Sequence, residues 1–242
     1  MSTFNSECLW NRWTTCAEVD PSREAIVHLR TEAEPFRWTW GALIESAKKY
    51  AAALAAEGIR PGDTCALIIR HHPQFYPLYL GVVASGAIPS VLAYPNSRIH
   101  PEKYVHGLSG MAQKSGLDWF VTERDIEAQI RPLVKDANSA VRGLIFPLEG
   151  YSDAGPGTVA SATDPSAPCL LQHSSGTTGL QKAVMLSHRA ILQHVDTYAE
   201  ALELRPSDRI VSWLPFYHDM GMIAALHLAL ARRVPLIQLD PF

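Results

Sequence analysis

Cysteine is scarce in this sequence, and the few cysteines form no recognisable pattern. Four of them stand at positions 8, 16, 65 and 169 of the 242 residues, with neither a CxxC pair nor the spacing of a disulfide framework. Zinc sites and small disulfide-rich secreted domains both need such spacing, so neither class is indicated. We expect free, buried thiols in a protein of a reducing compartment.

Neither positive nor negative charge is in large excess in the sequence. The chain has 21 lysines and arginines against 24 aspartates and glutamates, a formal net charge of -3. This balance gives no electrostatic reason to expect binding to nucleic acid or to an anionic membrane surface. The first residues, MSTFNSECLW, also lack the basic and apolar regions of a secretory signal, and we expect a cytoplasmic protein.

One long apolar segment, residues 75–95, has the length of a membrane span. It reads FYPLYLGVVASGAIPSVLAYP and carries no formal charge. Three prolines and two glycines interrupt it, and Pro89 directly follows SGAI. Because a proline at that point separates a helix from a strand, we interpret the segment as the buried core of a soluble protein without a membrane span.

Helical and strand-like segments alternate along the chain. Helix periodicity follows Thr39, the predicted N-cap, where apolar residues recur from Leu43 to Leu54 at spacings of three and four. A capping box is predicted at TERD, residues 122–125, and Ser187 is predicted to open a helix. Helices are predicted over 74–85, 102–115, 126–134 and 222–231, and strands over 64–70, 89–94, 117–122, 142–148, 169–174, 182–186, 208–214 and 234–239. This alternation indicates an α/β fold with layered, mainly parallel sheets flanked by helices.

Several other residues have ordinary structural explanations. His71 and His72 are adjacent at a strand end, so their side chains point to opposite faces and do not indicate a metal site. For Asp219 we predict an N-cap before the helix at 221. Core or interface positions are predicted for Trp38, Trp40 and Trp213, and a buried helical stripe for Ile191, Val195, Tyr198 and Leu202.

The segment LLQHSSGTTGLQKAVMLSH, residues 170–188, concentrates hydroxyl groups, glycines and one lysine between two strand-like runs. Hydroxyls, backbone N–H groups freed by glycine and an ammonium group together suit the oxygens and charge of a polyphosphate. A flexible, solvated hairpin turn is the alternative. Lys182 follows Gly179 by three positions without a GK[ST] sequence, which argues against a Walker-type site. Of the nearby histidines, only His173 is expected within reach of a nucleotide or acyl substrate.

The same segment resembles a motif of the adenylate-forming enzymes. SSGTTGLQKAVMLSH is similar, without a gap, to the phosphate-binding loop SGTTGxPKGVxxSH of acyl-CoA synthetases, fatty acyl-AMP ligases and nonribosomal adenylation domains. DRIVSWLPFYHDMGMI resembles the next family motif, in the form of fatty acyl-AMP ligases. The resemblance covers essentially the whole chain. It implies an incomplete N-terminal domain of the adenylate-forming fold, without the adenine-binding motif and the C-terminal domain that carries the catalytic lysine.

The resemblance also implies a role for each matching residue. A carboxylic acid, fatty or other acyl, would react with ATP and Mg²⁺ to give acyl-AMP and pyrophosphate, before transfer to CoA or an acyl carrier protein. Lys182 would hold the departing pyrophosphate, Thr178 would lie near Mg²⁺, and His218 would position the carboxylate at the mouth of the acyl pocket. The β- and γ-phosphates would be wrapped by Ser174, Ser175, Gly176, Thr177, Thr178 and Gly179.

Two departures from the family motif keep a second hypothesis open. Gln181 and Ala183 replace the proline and glycine that flank the lysine, and Ala183 would be strained if its φ were positive. A noncatalytic module that binds a nucleotide or an acyl group is therefore the alternative to an acid–thiol ligase. Because the chain stops just after a core strand, at VPLIQLDPF, we expect a fragment of a longer protein. The resemblance implies that this fragment is inactive by itself, since the adenine-binding motif and the catalytic lysine would lie outside it.

Three regions are predicted along the chain. Residues 149–168, EGYSDAGPGTVASATDPSAP, are rich in glycine, serine, proline and alanine and are interpreted as a connection between subdomains. We expect an N-terminal segment over 1–60 that packs with the later subdomain, and a first α/β subdomain over 61–165. The phosphate loop and the start of a second α/β subdomain are expected over 166–242.

Overall fold

The computed structural model describes residues 7–96, 99–134, 140–151, 159, 163–174 and 182–240. The α-helices are α1 (Leu9–Val19), α2 (Trp40–Ala56), α3 (Phe75–Ala84), α4 (Pro101–Ser115), α5 (Glu127–Val134), α6 (His188–Ala201) and α7 (Leu228–Arg232). The strands are β1 (Glu24–Arg30), β2 (Ala33–Thr39), β3 (Thr64–Ile68), β4 (Ile88–Val91), β5 (Trp119–Thr122), β6 (Gly143–Ile145), β7 (Pro168–Ser174), β8 (Lys182–Ser187), β9 (Ile210–Ser212) and β10 (Leu236–Gln238). A 3₁₀ turn at Arg124–Ile126 precedes α5, and a π-helix at Met220–His227 runs into α7.

The strands form two mainly parallel sheets and one hairpin. The first sheet has the order β2-β1-β10-β9, and the second has the order β4-β3-β5-β6. Neighbouring strands in both sheets are parallel, except for the antiparallel pair β1 and β2. β7 and β8 pair with each other in antiparallel orientation. The predicted α/β fold with mainly parallel sheets is confirmed, whereas the division into 1–60, 61–165 and 166–242 stays a prediction.

α3 lies at the centre of the main core. Every residue of Phe75–Ala84 is buried, and the helix packs along α2, whose Leu43, Ala47 and Leu54 are fully buried. The uncharged segment 75–95 is thus a buried helix followed by β4, as predicted. Within the described part of the chain, no helix combines the length and the apolar character needed to cross a bilayer.

Gly81 lets α2 and α3 approach each other closely, and we expect Gly81→Ala to destabilise the fold. A β-carbon at this position would lie 2.6 Å from Cβ of Tyr50 and 2.9 Å from the carbonyl oxygen of Ala47, so the helices would have to separate. Overpacking of this kind lowers the free energy of unfolding by about 1–3 kcal/mol, which urea denaturation measures.

Gly107→Ala in α4 is the matched control for this prediction. Among the described residues outside its own helix turn, no atom lies within 4 Å of the added methyl group. We therefore expect a gain of up to about 1 kcal/mol, since alanine is the better helix former. If Gly81→Ala were as stable as the wild type, the close helix packing would be contradicted.

The predicted helix starts are correct at Thr39 and Ser187 and wrong at 122–125. The hydroxyls of Thr39 and Ser187 each accept a hydrogen bond from an N–H in the first turn of the following helix. Thr122 makes no cap. It is the last residue of β5, and its hydroxyl donates to a carbonyl oxygen of the neighbouring strand β3 instead.

Leu202, predicted to be buried, is exposed instead, and Trp213 does not lie in the core. Leu202 is 52% exposed because α6 ends one residue earlier, at Ala201, and the chain turns away. Trp213 is 64% exposed because it follows β9, an edge strand of the first sheet among the described residues; of its two predicted positions, the core is wrong and the interface stays a prediction. All four cysteines are free and buried, as predicted. Also buried or partly buried as predicted are Trp38, Trp40, Ile191, Val195 and Tyr198.

Candidate active site

The hydroxyl-rich segment connects the two strands of the β7–β8 hairpin. β7 is buried from Cys169 to His173 and ends at Ser174, which pairs with Lys182, the first residue of β8. The Ser174 hydroxyl donates a hydrogen bond to the Lys182 carbonyl oxygen over 3.2 Å, which closes the base of the hairpin. Outside the described residues lie the predicted phosphate ligands Ser175, Gly176, Thr177, Thr178 and Gly179, together with Gln181.

Lys182 stands exposed at the end of this hairpin. No carboxylate belonging to the described residues forms an ion pair with its ammonium group. A salt bridge would neutralise that charge, and in its absence the ammonium group can serve an external anion. The hairpin therefore presents a cation directly beside the hydroxyl-bearing loop.

His218 belongs to a tight turn between β9 and the π-helix. Its N–H donates to the Pro215 carbonyl oxygen over 3.1 Å, and its own carbonyl oxygen accepts from the Met222 N–H over 2.9 Å. The imidazole is 58% exposed, with Nδ1 2.8 Å from Oδ1 of Asp219. Asp219 also accepts the Met220 N–H over 2.8 Å and so caps the helix, as predicted. Nδ1 also accepts the Met220 N–H over 3.3 Å, so the Asp219 carboxylate and this N–H together orient the ring.

Two buried glutamines donate hydrogen bonds to backbone carbonyl oxygens of residues 214–217, at this turn. Nε2 of Gln172, in β7, donates to the Tyr217 carbonyl oxygen over 3.0 Å. Nε2 of Gln238, in β10, donates to the Leu214 carbonyl oxygen over 3.1 Å. Tyr217 directly precedes His218. One side chain of β7 therefore joins the loop hairpin to the turn that carries this histidine.

Gly221 allows the π-helix to lie directly on the turn. A β-carbon at this position would overlap the carbonyl oxygen of Pro215 and lie 2.9 Å from that of Leu214. The helix predicted over 222–231 is present, but its first part is a π-helix, a rare form that often occurs at functional sites. Its sequence is almost uniformly apolar, so periodicity cannot distinguish the two windings.

A cavity of about 380 Å³ opens beside the turn. Its walls come from residues at the carboxyl ends of β3, β4 and β10, from the start of α3 and from residues 215–217. Phe75, Tyr76, Val91 and Phe216 make much of this surface apolar. Ligands of open parallel sheets bind at the carboxyl ends of strands, and the volume is in the range of small-molecule pockets.

His28 lies in the wall of this cavity and is neutral at physiological pH. Its Nδ1 is 2.8 Å from the Tyr76 hydroxyl, and its ring stacks on His71 with 3.8 Å between the ring centroids. Burial, and secondarily the neighbouring His71, lowers the pKa of His28 to about 3. Nε2 of His71 lies 2.9 Å from the Leu29 carbonyl oxygen. Within the described ranges, no cluster of three or more histidine, cysteine or acidic side chains is arranged to hold a metal ion.

Both ring nitrogens of His173 contact serine hydroxyls of neighbouring elements. Its Nδ1 lies 3.0 Å from the Ser90 hydroxyl and its Nε2 lies 3.0 Å from the Ser115 hydroxyl. The imidazole is buried, and this burial lowers the pKa of His173. Since both ring nitrogens have protein partners, the geometry does not favour a contact with a nucleotide or acyl group, and that expectation stays a prediction. It anchors the end of β7 to β4 and α4.

Gln172, Gln238 and Gly221 each shape the turn, but none of them is predicted from the sequence as a site residue. A signal exists for the glutamines, because each interrupts an apolar strand sequence, LLQHS or PLIQL, where a buried amide needs a partner. The partner itself is not readable from the sequence, since Gln172 and Tyr217 are 45 positions apart. Gly221, at the start of an apolar helix, signals close approach of another backbone.

Two comparisons of sequence give consistent results. The family model described as AMP-binding enzyme matches residues 13–242. A putative acyl-CoA synthetase of Caulobacter vibrioides is 29% identical over 185 residues, which are 76% of this chain and 32% of that protein. The long-chain-fatty-acid–AMP ligase FadD32 of Mycolicibacterium smegmatis is 26% identical over 190 residues, which are 78% of this chain and 29% of that protein. The chain thus spans less than a third of the length of these curated relatives.

A solved structure shares the fold. The fatty acyl-adenylate ligase from L. pneumophila, in complex with acyl adenylate and pyrophosphate, matches with a TM-score of 0.78 and 23% sequence identity. The match covers 97% of this chain and 40% of the ligase chain. At this identity the likeness establishes the fold, while the roles of individual residues need their own argument.

Proposed function

Because this chain belongs to the AMP-binding enzyme family, we propose that it is part of a ligase that activates a carboxylic acid, fatty or other acyl, with ATP. The products are acyl-AMP and pyrophosphate, and the acyl group then passes to CoA or to an acyl carrier protein. One observation carries the proposal. The β7–β8 hairpin has the exposed Lys182 at its loop end, and Gln172 of the same hairpin forms a hydrogen bond to the turn that carries His218. The relatives described as a putative acyl-CoA synthetase and a long-chain-fatty-acid–AMP ligase support it.

Activation brings two anions together, so their charges must be neutralised. A carboxylate oxygen attacks the α-phosphorus of ATP, the bond between that phosphorus and the bridging oxygen breaks, and pyrophosphate leaves with the bonding electrons. We assign to Lys182 the stabilisation of the charge that develops on pyrophosphate, since this ammonium group has no counter-ion among the described residues. Electrostatic stabilisation and positioning supply most of the rate in phosphoryl transfer.

His218 is the proposed partner of the reacting carboxylate. Asp219 holds Nδ1, and the exposed ring leaves its other edge for a ligand. The apolar cavity supports this assignment, because residues 215–217, which directly precede the histidine, line it and it offers room for the uncharged part of an acid. In this arrangement the carboxylate would face the loop hairpin while the rest of the acid lies away from water.

The loop residues are proposed to bind the β- and γ-phosphates of ATP. Ser174 is described, and its hydroxyl together with the Lys182 ammonium group offers the donors that phosphate oxygens accept. Mg²⁺, when bound, neutralises part of the phosphate charge, and we assign Thr178 to its neighbourhood. The full proposed set is Ser174, Ser175, Gly176, Thr177, Thr178 and Gly179.

The geometry at Ala183 does not favour the noncatalytic alternative. Ala183 pairs with His173 inside the β7–β8 ladder. It is not among the described non-glycine residues that have a positive φ. An alanine in extended backbone is not strained relative to glycine, so this departure from the family motif does not count against catalysis.

The 242-residue chain alone is expected to bind inorganic pyrophosphate but to form no acyl-AMP. The family resemblance places the adenine-binding motif and the catalytic lysine outside these residues. Both the isolated chain and the complete gene product would be incubated with ATP, Mg²⁺ and a panel of short, long-chain and aromatic acids, with acyl-AMP detected by mass spectrometry. Measurable acyl-AMP formation by the isolated chain would refute the expectation of inactivity.

A further inference from the structure

Gln172 and His173 attach the loop hairpin to two different parts of the molecule. Neighbouring side chains of a strand point to opposite faces, and here both make hydrogen bonds. His173 contacts Ser90 in β4 and Ser115 in α4. Gln172 reaches the other way, to the carbonyl oxygen of Tyr217. The hairpin is therefore fixed to the second sheet on one face and to the His218 turn on the other.

The contact between Gln172 and Tyr217 is partly buried. The Gln172 residue is 9% exposed, and its Nε2 also lies 3.4 Å from the His173 carbonyl oxygen, so the amide has two acceptors. Separation of the two groups would take the buried Gln172 amide away from its 3.0 Å acceptor, and the desolvation penalty of a buried polar group opposes this. The link is therefore suited to transmit a displacement of the hairpin to the turn.

The second glutamine at the turn has a different connection. Gln238 donates to the carbonyl oxygens of Leu214 and Leu239, over 3.1 Å and 3.2 Å. Leu214 follows β9 and Leu239 follows β10, both strands of the first sheet. Among the described hydrogen bonds, Gln238 has none to the hairpin. Gln238 thus shapes the turn, whereas Gln172 relates the turn to the loop.

We propose that Gln172 is a positioning residue that sets the distance and orientation of His218 relative to the hairpin ending in Lys182. This proposal rests on the proposed function, and it assigns Gln172 no contact with ATP or the acid. In-line attack needs the reacting atoms about 3–3.5 Å apart, and a misplacement of about 1 Å can lower the rate about 100-fold. Loss of the link therefore impairs the reaction of the two bound substrates more than the binding of either one.

Gln172→Met tests this role, because it keeps the length and the apolar stem of the side chain and removes the amide. In the complete gene product we expect the kcat of carboxylate-dependent ATP–pyrophosphate exchange to fall about 10- to 100-fold. The KM for ATP should stay within about threefold of the wild type, since the phosphate ligands are unchanged. Gln113→Met, the same substitution at an exposed position of α4, is the control and should change neither constant.

A second readout does not depend on catalysis. The 242-residue chain is labelled at histidine, and inorganic pyrophosphate is added while the imidazole signals are followed by NMR. In the wild type we expect pyrophosphate to shift the His218 signals through the Gln172 link. In Gln172→Met, pyrophosphate should bind with similar affinity and leave the His218 signals in place.

The outcomes separate this proposal from the proposed function. A wild-type chain that does not bind pyrophosphate would count against the phosphate loop and hence against both. Three other results would overturn the role of Gln172 alone. The first is pyrophosphate binding with equal His218 shifts in the wild type and the variant, and the second is an unchanged kcat. The third is a KM for ATP that rises in step with the loss of kcat/KM. Urea denaturation verifies that the variant is folded. If it is not, Gln172→Asn, whose shorter amide cannot span the distance to Tyr217, should give the same pattern.

Discussion

Lys182→Ala is expected to lower the kcat of carboxylate-dependent ATP–pyrophosphate exchange in the complete gene product by about 100- to 1,000-fold. The reason is electrostatic. The substitution removes the exposed ammonium group at the loop hairpin, which has no carboxylate partner among the described side chains, at the point where we place the leaving pyrophosphate. A single donor aimed at developing charge has an effect of this size because it stabilises the transition state more than the bound substrates.

The control for Lys182→Ala is Lys103→Ala on α4, which removes the same charge from an exposed position away from the hairpin. We expect the control to exchange at the wild-type rate. Lys182 itself is exposed, so its removal should change the free energy of unfolding by no more than about 0.5 kcal/mol. A Lys182→Ala protein that is folded and exchanges as fast as the control would remove the proposed role of this lysine.

Gly221→Ala is expected to have the second large effect, by displacing the turn that carries His218. The added methyl group would overlap the Pro215 carbonyl oxygen and crowd that of Leu214. Both oxygens belong to the backbone, so the overlap cannot be relieved by rotation of a side chain. The turn or the helix must therefore move. Because about 1 Å of displacement can lower a rate about 100-fold, we expect at least that loss of kcat in the exchange assay.

Stability should fall as well in Gly221→Ala, by about 1–3 kcal/mol in urea denaturation, as for other overpacked sites. Gly107→Ala again adds the same methyl group where the described surroundings are open, and it should leave exchange unchanged. Wild-type kcat in Gly221→Ala would show that the turn tolerates the shift, and the position of His218 would then not limit the reaction.

Helices and strands with a contrast between two faces could be predicted from the sequence. α2 and α6 have a polar and an apolar side and a hydroxyl at the N-cap, and their starts at Thr39 and Ser187 are correct. The capping box predicted at 122–125 is wrong because the Thr122 hydroxyl forms a hydrogen bond to a neighbouring strand instead. The π-winding of Met220–His227 was not predictable because its residues are almost uniformly apolar.

The candidate site was predictable only where neighbouring positions in sequence create it. Strand-like runs on both sides of the hydroxyl-rich segment predict a loop between two strands, and the pairing of Ser174 with Lys182 confirms a hairpin there. Contacts between distant positions follow from the tertiary fold. Gln172 meets Tyr217, and Gly221 meets Pro215, only because β7, β9 and the π-helix converge.

The central claim, that this chain belongs to an enzyme that activates carboxylic acids with ATP, is tested most directly by exchange of labelled pyrophosphate into ATP. The complete gene product would be assayed with and without each acid of an aliphatic, long-chain and aromatic panel. We predict exchange that requires Mg²⁺ and at least one acid and saturates with both ATP and that acid. A folded protein that binds ATP but shows no acid-dependent exchange over the whole panel would contradict the claim and favour a noncatalytic binding module.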